Sequence, residues 1–225
     1  TQTFDLVLKN GTVVNQDGTG IRDIGVINGQ IAEIGSIDVA RAGQMIDCKG
    51  LHVLPGVIDS QVHFREPGLE HKEDLESGSR AAVLGGVTSV FEMPNTKPLT
   101  TSASTLADKV ARGHHRMHCD FAFWVGGTRD NAKDVAELER LPGAAGIKVF
   151  MGASTGNMLV DDPRTLELIF AECPTLIATH CEDTPTIKAN EERFRQQYGE
   201  DVPFSAHPLI RSEEACYKST VLATS

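Results

Sequence analysis

From Pro55 onward the chain repeats one pattern five times, a short apolar run followed by a longer amphipathic stretch. The apolar runs cover residues 57–63, 87–93, 119–125, 146–151 and 176–179. The stretches that follow them cover about 71–84, 99–113, 131–141, 163–172 and 184–198, with a further helical segment over 212–223. Their ends carry ordinary helix signals. Gly85-Gly86 stops the first, Ser102 or Ser104 can cap the second, and Pro163 opens the fourth. Strand then helix, repeated, predicts a parallel sheet with crossover helices. Two architectures satisfy that pattern: an open doubly wound sheet and a (β/α)8 barrel.

The polar residues favour the barrel. His63 and Arg65 follow the first strand, Asn95 the second, Lys148 lies in the fourth and His180 follows the fifth. Barrels build their sites at that face from many strand ends, whereas doubly wound sheets concentrate theirs at one switch point. No G-x-G-x-x-G or Walker loop opens any of the helices. Only about five of the eight βα units of a closed barrel are present. Residues 1–55 read differently, as short strands joined by turns such as Asn10-Gly11 and Asn28-Gly29. A few hairpin strands bury little alone and need a partner surface. The expected fold is therefore α/β: a small β-sandwich-like domain over 1–55 and the N-terminal part of a TIM-like barrel over 56–225.

The charge balance narrows the partners. The 225 residues carry a net charge of −10 with no basic block, which argues against nucleic acid and anionic membranes. No run of about 20 apolar residues predicts a membrane span, and the first residues do not read as a secretory leader. Five scattered cysteines, with no C-x-x-C, read as reduced thiols of a cytoplasmic protein. Cys181 alone sits beside candidate chemistry, and no cationic neighbour that would activate it is evident in the sequence.

The stretch 57–68 starts apolar and ends polar. Read as a strand, it puts Asp59, Gln61, His63 and Arg65 on one face and Val62 and Phe64 on the other. Such a polar face is an edge strand wetted by solvent or the floor of an active site. Lys148, inside Gly146-Ile-Lys-Val-Phe-Met151, carries a desolvation penalty unless it is paired or used. It reads as the partner of a neighbouring carboxylate, as a Schiff-base or general-base amine, or as a lysine modified to a metal-binding anion. His63 and His180 stand at strand ends where imidazoles suit zinc. His114, His115 and His118 fall at the opposite end of the barrel and read as solvated. His52 reads as a packing or surface residue, His71 as part of an acidic helix start, and His207 as a loop residue before Pro208.

Taken in order, Pro55-Gly-Val-Ile-Asp59, His63-Phe-Arg-Glu-Pro-Gly68, Met93-Pro-Asn-Thr96, Gly146-Ile-Lys-Val-Phe150 and Thr179-His-Cys-Glu182 resemble the dihydroorotase branch of the amidohydrolase superfamily. Hydantoinases and allantoinases share the scaffold and are less similar at Phe64-Arg-Glu-Pro-Gly68 and Met93-Pro-Asn-Thr96. The resemblance implies a distorted barrel with one or two zinc ions. It implies His63 and His180 as metal ligands, Lys148 as a carbamylated lysine bridging two metals, and Arg65 and Asn95 as the carboxylate-binding residues. An arginine fork meets a carboxylate in a bidentate manner. The implied reaction interconverts dihydroorotate and N-carbamoyl-L-aspartate in pyrimidine biosynthesis.

The sequence departs from that pattern twice. The family's His-x-His on the first strand is here Gln61-Val-His63, and an amide oxygen is a poor zinc ligand beside imidazole. The family's remaining histidine ligand and catalytic aspartate lie beyond the equivalent of Ser225, so the fragment alone is expected to be inactive. The loss at Gln61 motivates a rival reading, a non-catalytic homologue serving as a structural partner of aspartate transcarbamoylase. A hydantoinase- or allantoinase-like hydrolase is the third reading. The expected assembly is a homo-oligomer acting on a small molecule.

Overall fold

Asn28-Gly29 turns the chain as a hairpin dipeptide should, with both residues at positive φ, 50° and 74°. It joins β2 (Gly18–Ile27) to β3 (Gln30–Gly35), and β2 returns antiparallel on β1 (Phe4–Asn15). Asn10-Gly11, expected to be a turn, instead lies inside β1 as an irregularity between Leu8 and Gly11. The cause is Asp23 on β2. Its carboxylate accepts the Asn10 N–H at 2.9 Å and pairs with Lys9 at 2.6 Å, so the bulge is satisfied without reversing the chain. Asp23 is buried, yet these donors and the Ile37 N–H hold its carboxyl below the usual range. β4 (Ala42–Asp47) and β5 (His52–Val53) pair parallel with β1, completing a five-stranded sheet around Phe4, Val7 and Ile37.

The computed structural model describes residues 3–152 and 158–225. It divides into two units, Thr1–Val57 and Ile58–Ser225. The second unit holds β6 (Val57–Val62) apart from its first residue, and β7 (Val87–Glu92), β8 (Asp120–Gly126), β9 (Ala144–Phe150) and β10 (Ile177–His180). They line up as β10-β9-β8-β7-β6, so neighbours in sequence are neighbours in space. The pairs β7–β8, β8–β9 and β9–β10 are parallel. This is the strand arrangement of a TIM-like barrel, with five strands of it present. The Gly-rich loop after β9 falls partly on residues 153–157, outside the described residues.

The intervening helices are α1 (Leu75–Leu84), α2 (Ala103–Gly113), α3 (Val135–Leu138), α4 (Pro163–Glu172) and α5 (Thr184–Tyr198), followed by α6 (His207–Ile210) and α7 (Glu213–Thr224). Local capping sets most of their starts. Asp74, Ser102, Asp162, Asp183 and Ser212 each accept a first-turn N–H. Asp74 is why α1 begins at Leu75 rather than near His71. α3 is far shorter than the 131–141 pattern predicted. Asn131 is spent on its loop: its Oδ1 accepts the Thr128 N–H, and its Nδ2 donates to the Thr101 and Gly126 carbonyls, each at 2.8 Å.

Val90, Phe123, Val125, Ile147 and Val149 from the sheet meet Leu75, Leu106, Val135, Leu166 and Ile169 from the helices, all buried. Burying each such side chain contributes about 2 kcal/mol. Gly78 lets α1 press onto Phe64, since a Cβ there would lie 2.4 Å from the ring. That contact fixes the residues on either side of Phe64, His63 and Arg65, against the first helix.

Candidate functional site

β6 ends at Val62, so strand alternation does not carry His63 and Arg65 to their positions. Val62 and Phe64 are buried as expected, while Asp59 and Gln61 are exposed. Arg65 instead takes a left-handed backbone, φ 68°, unusual for a residue with a side chain. Three contacts secure that turn. The Arg65 carbonyl accepts the Leu69 N–H at 3.1 Å, and the Arg65 N–H faces the Glu92 carboxylate. Glu66, buried, accepts both Arg116 guanidinium nitrogens and the Leu75 N–H. The next loop is zipped to the one after β7. The Lys97 N–H donates to the Pro67 carbonyl at 2.8 Å, and Gly68 lies directly against the Lys97 backbone.

These two loops enclose a cavity of about 620 Å³ lined by Arg65, Leu69, Lys72, Asn95, Lys97 and Leu99 among others. Arg65, Lys72 and Lys97 make no ion pair among the described residues. Three unneutralised cations around one cavity stand out in a chain of net charge −10. Asn95 also hydrogen-bonds the His63 side chain. Burial, with Arg65, Lys148 and Lys109 nearby, holds the His63 imidazole below its ordinary pKa.

Further along the same sheet, Lys148 on β9 pairs in register with Ala178 on β10, and Phe150 with His180. Side chains two apart share a face, so Lys148, Phe150 and His180 lie together on one. The distances agree. Lys148 Nζ lies 5.0 Å from the Phe150 ring centroid, and the Phe150 and His180 rings stack at 6.0 Å. Lys148 is only 4% exposed, and burial lowers its pKa. No carboxylate partner for it appears among the described residues, so the neighbouring-carboxylate reading finds no support in them. Its neighbour is Cys181, whose thiol donates to Thr179 Oγ1 at 3.2 Å; the thiol therefore does have a cationic neighbour. His180 Nε2 lies 2.8 Å from Glu182 Oε2, which Arg211 also reaches at 2.6 Å. Despite burial, those two partners keep the Glu182 carboxyl below its usual range.

Among the described residues no three His, Cys, Asp or Glu side chains converge to hold a metal ion. His63 and His180 offer two imidazoles, Gln61 is exposed, and an ammonium cannot ligate. The unmodified side chains therefore fall short of a zinc site. Among the described residues, a carbamate on Lys148 would supply an anionic donor beside the two imidazoles. A buried, acid-free amine with a lowered pKa is the setting in which a carbamate forms.

Histidines expected to be solvated are partly engaged. His118 Nε2 meets Glu76 at 3.0 Å, and His114 packs edge-on to Phe121. His207 opens α6 and stacks on Phe204. Sequence reasoning missed two charged residues altogether, Glu92 and Lys109. Each is 1% exposed, and they form a close ion pair beneath the Arg65 turn. Burial pushes Glu92 up, to about 7, and Lys109 down, while their mutual attraction opposes both shifts. A signal was present. Lys109 follows Leu106 by three residues on the core stripe of α2, and Glu92 follows Val90 by two on the buried face of β7.

Residues 52–201 match the amidohydrolase family. An allantoinase of Rubrobacter xylanophilus is 41% identical over 228 residues, covering 98% of this chain and 50% of that protein. A dihydroorotase of Methanothermobacter thermautotrophicus is 37% identical over 212 residues, covering 93% and 47%. The structure of an L-hydantoinase (dihydropyrimidinase) from Arthrobacter aurescens aligns with a TM-score of 0.88 at 30% identity, covering 98% of this chain and 50% of that one. The chain thus spans about half the length of the curated relatives it matches. Relatives with three different ring substrates align along nearly all of it, so the motifs common to them cannot separate those substrates. Members of this family are hydrolases of cyclic amides that generally use a metal ion such as zinc, and the chain belongs to the amidohydrolase family.

Proposed function

We propose that the protein containing this chain is a dihydroorotase-type enzyme, interconverting dihydroorotate and N-carbamoyl-L-aspartate. One observation carries the choice of substrate: Arg65, Lys72 and Lys97 surround the cavity beside Asn95 with no acidic partner among the described residues. Dihydroorotate carries a free carboxylate, whereas hydantoin and allantoin rings carry none. Arg65 would take that carboxylate through its fork, with Asn95 donating from the adjoining loop. The two exposed lysines would raise the local concentration of anions at the cavity mouth.

His63, His180 and a carbamate on Lys148 would hold a zinc ion, which when bound would polarise the ring amide carbonyl. The chain's own residues do the rest. Arg65 and Asn95 bind and orient the ring, and Asn95 fixes the His63 ring through their hydrogen bond. Glu182 fixes His180 in the same way. A cytoplasmic location and a homo-oligomeric assembly belong to the same proposal.

The test is turnover of dihydroorotate by the full-length protein supplied with zinc and bicarbonate. We expect turnover that Lys148→Ala abolishes and that Arg65→Ala weakens mainly through KM. Equal turnover of hydantoin and dihydroorotate, unaffected by Arg65→Ala, would reject the substrate. A second reading is favoured by the exposed Gln61 at the place of a ligand. It makes the protein a non-catalytic partner of aspartate transcarbamoylase, and absence of both bound metal and turnover would support it.

A further inference from the structure

We propose that the buried Glu92–Lys109 pair is a positioning pair, holding the two backbone segments that carry Arg65 and Asn95 and thereby setting affinity for a carboxylate-bearing ring. The inference rests on the substrate reading above and adds residues to it. Both side chains are 1% exposed, so the pair touches no solvent and cannot touch substrate. Its two ends face different loops. The Glu92 carboxylate lies on the backbone N–H side of Arg65, which takes the left-handed turn at φ 68°, and acts on it by charge. Lys109 Nζ donates to the Met93 carbonyl at 3.1 Å, two residues before Asn95. Lys109 also lies over the Phe123 ring, 5.1 Å from its centroid, which fixes the ammonium from below. Phe123 is the register partner of Glu92 across β7 and β8.

The arrangement is a poor way to gain stability alone. A buried ion pair loses much of its attraction to desolvation, and well-packed apolar residues often do as well. Neither Glu92 oxygen makes a hydrogen bond of ordinary geometry, so the carboxylate is held by charge. A buried polar pair at that position, aimed at two substrate-facing turns, is accounted for by what it orients.

The experiment uses the full-length protein with three variants: Glu92→Gln, Glu92→Asp, and Glu92→Gln with Lys109→Met. Each is assayed for thermal midpoint, for KM and kcat with dihydroorotate, and for dihydroorotate affinity by calorimetry. We expect Glu92→Gln to raise KM and Kd about tenfold with kcat changed by less than about threefold. The double variant removes the unpaired buried ammonium and should regain the thermal midpoint without regaining KM. Glu92→Asp keeps the charge and should rescue part of the affinity. A purely structural pair predicts the opposite, with affinity returning alongside the midpoint, and that result overturns the proposal. If the parent protein binds no dihydroorotate, the substrate reading fails separately. The crystal structure of the double variant then decides positioning: an Arg65 φ unchanged from 68° overturns it, and a turn released from the left-handed region supports it.

Discussion

Arg116 grips Glu66 with both terminal guanidinium nitrogens, at 2.6 and 3.1 Å, across 50 residues of chain. Arg116 lies just past the end of α2, and Glu66 directly follows Arg65. The clamp therefore ties the candidate carboxylate-binding turn to the far end of a helix whose own Lys109 reaches the same region. Arg112 stands behind it, 3.6 Å from the same carboxylate. Glu66 is buried while both arginines are about 40% exposed, so solvent weakens the charge term and the buried acceptor dominates.

Glu66→Gln should therefore destabilise the fold by about 2 kcal/mol near neutral pH, through a lost charge-assisted fork and a poorly matched buried amide. The difference should depend on pH. Although burial raises the Glu66 carboxyl, Arg116 and the Leu75 N–H lower it further, leaving it below 4.5. A depressed carboxyl contributes stability that is fully present above its unfolded value and is lost as pH falls through its folded one. Urea denaturation of both proteins should show the gap closing below about pH 4.5. A gap that stays constant into acid would mean that Glu66 acts by shape alone.

Lys148 gives a sharper separation of fold from function. It is buried with no acid beside it among the described residues, and burial outweighs what the Phe150 ring and Cys181 return to its charge. Lys148→Met keeps the length and removes the desolvation cost, so stability should be unchanged or higher by about 1 kcal/mol. Labelled bicarbonate should give a carbamate carbon resonance in the parent protein and none in the variant. A large loss of stability in Lys148→Met would mean that the ammonium has a structural partner.

Much of this architecture was legible because it is local. The five strand-helix repeats follow from hydrophobic period, and α4 and α5 start where Asp162-Pro163 and Asp183 place a cap. His63, Arg65, Asn95, Lys148 and His180 announced themselves as polar residues at apolar strand ends. Other features were illegible because they depend on partners distant in sequence. Asn10-Gly11 spells a turn, and only Asp23 makes it a bulge. Asn131 spells a helix start, and its bonds to Thr101 and Gly126 hold it in a loop. Arg65 looked like the next tooth of a strand, yet Glu92 and Glu66 turn it through the left-handed region. Glu92 and Lys109 are invisible as a pair until β7 and α2 are packed together.

Gly68 and Gly86 allow a backbone strain to be separated from a steric one. Both have φ 89°. A Cβ on Gly86 would meet nothing within 4 Å, whereas one on Gly68 would lie 2.2 Å from the Lys97 carbonyl oxygen. Gly86→Ala should then report only the left-handed penalty, about 1 kcal/mol. Gly68→Ala adds a backbone clash that cannot be relieved by turning a side chain, and should cost about 2–4 kcal/mol. The clash also has a direction. Relief requires the loop after β7 to move away from Pro67, breaking the Lys97 N–H bond and widening the cavity between Arg65 and Asn95. Gly68→Ala should thus raise KM for dihydroorotate as well as lower the urea midpoint, while Gly86→Ala lowers the midpoint alone. Matching losses in the two variants would show that the loops are not zipped at Gly68.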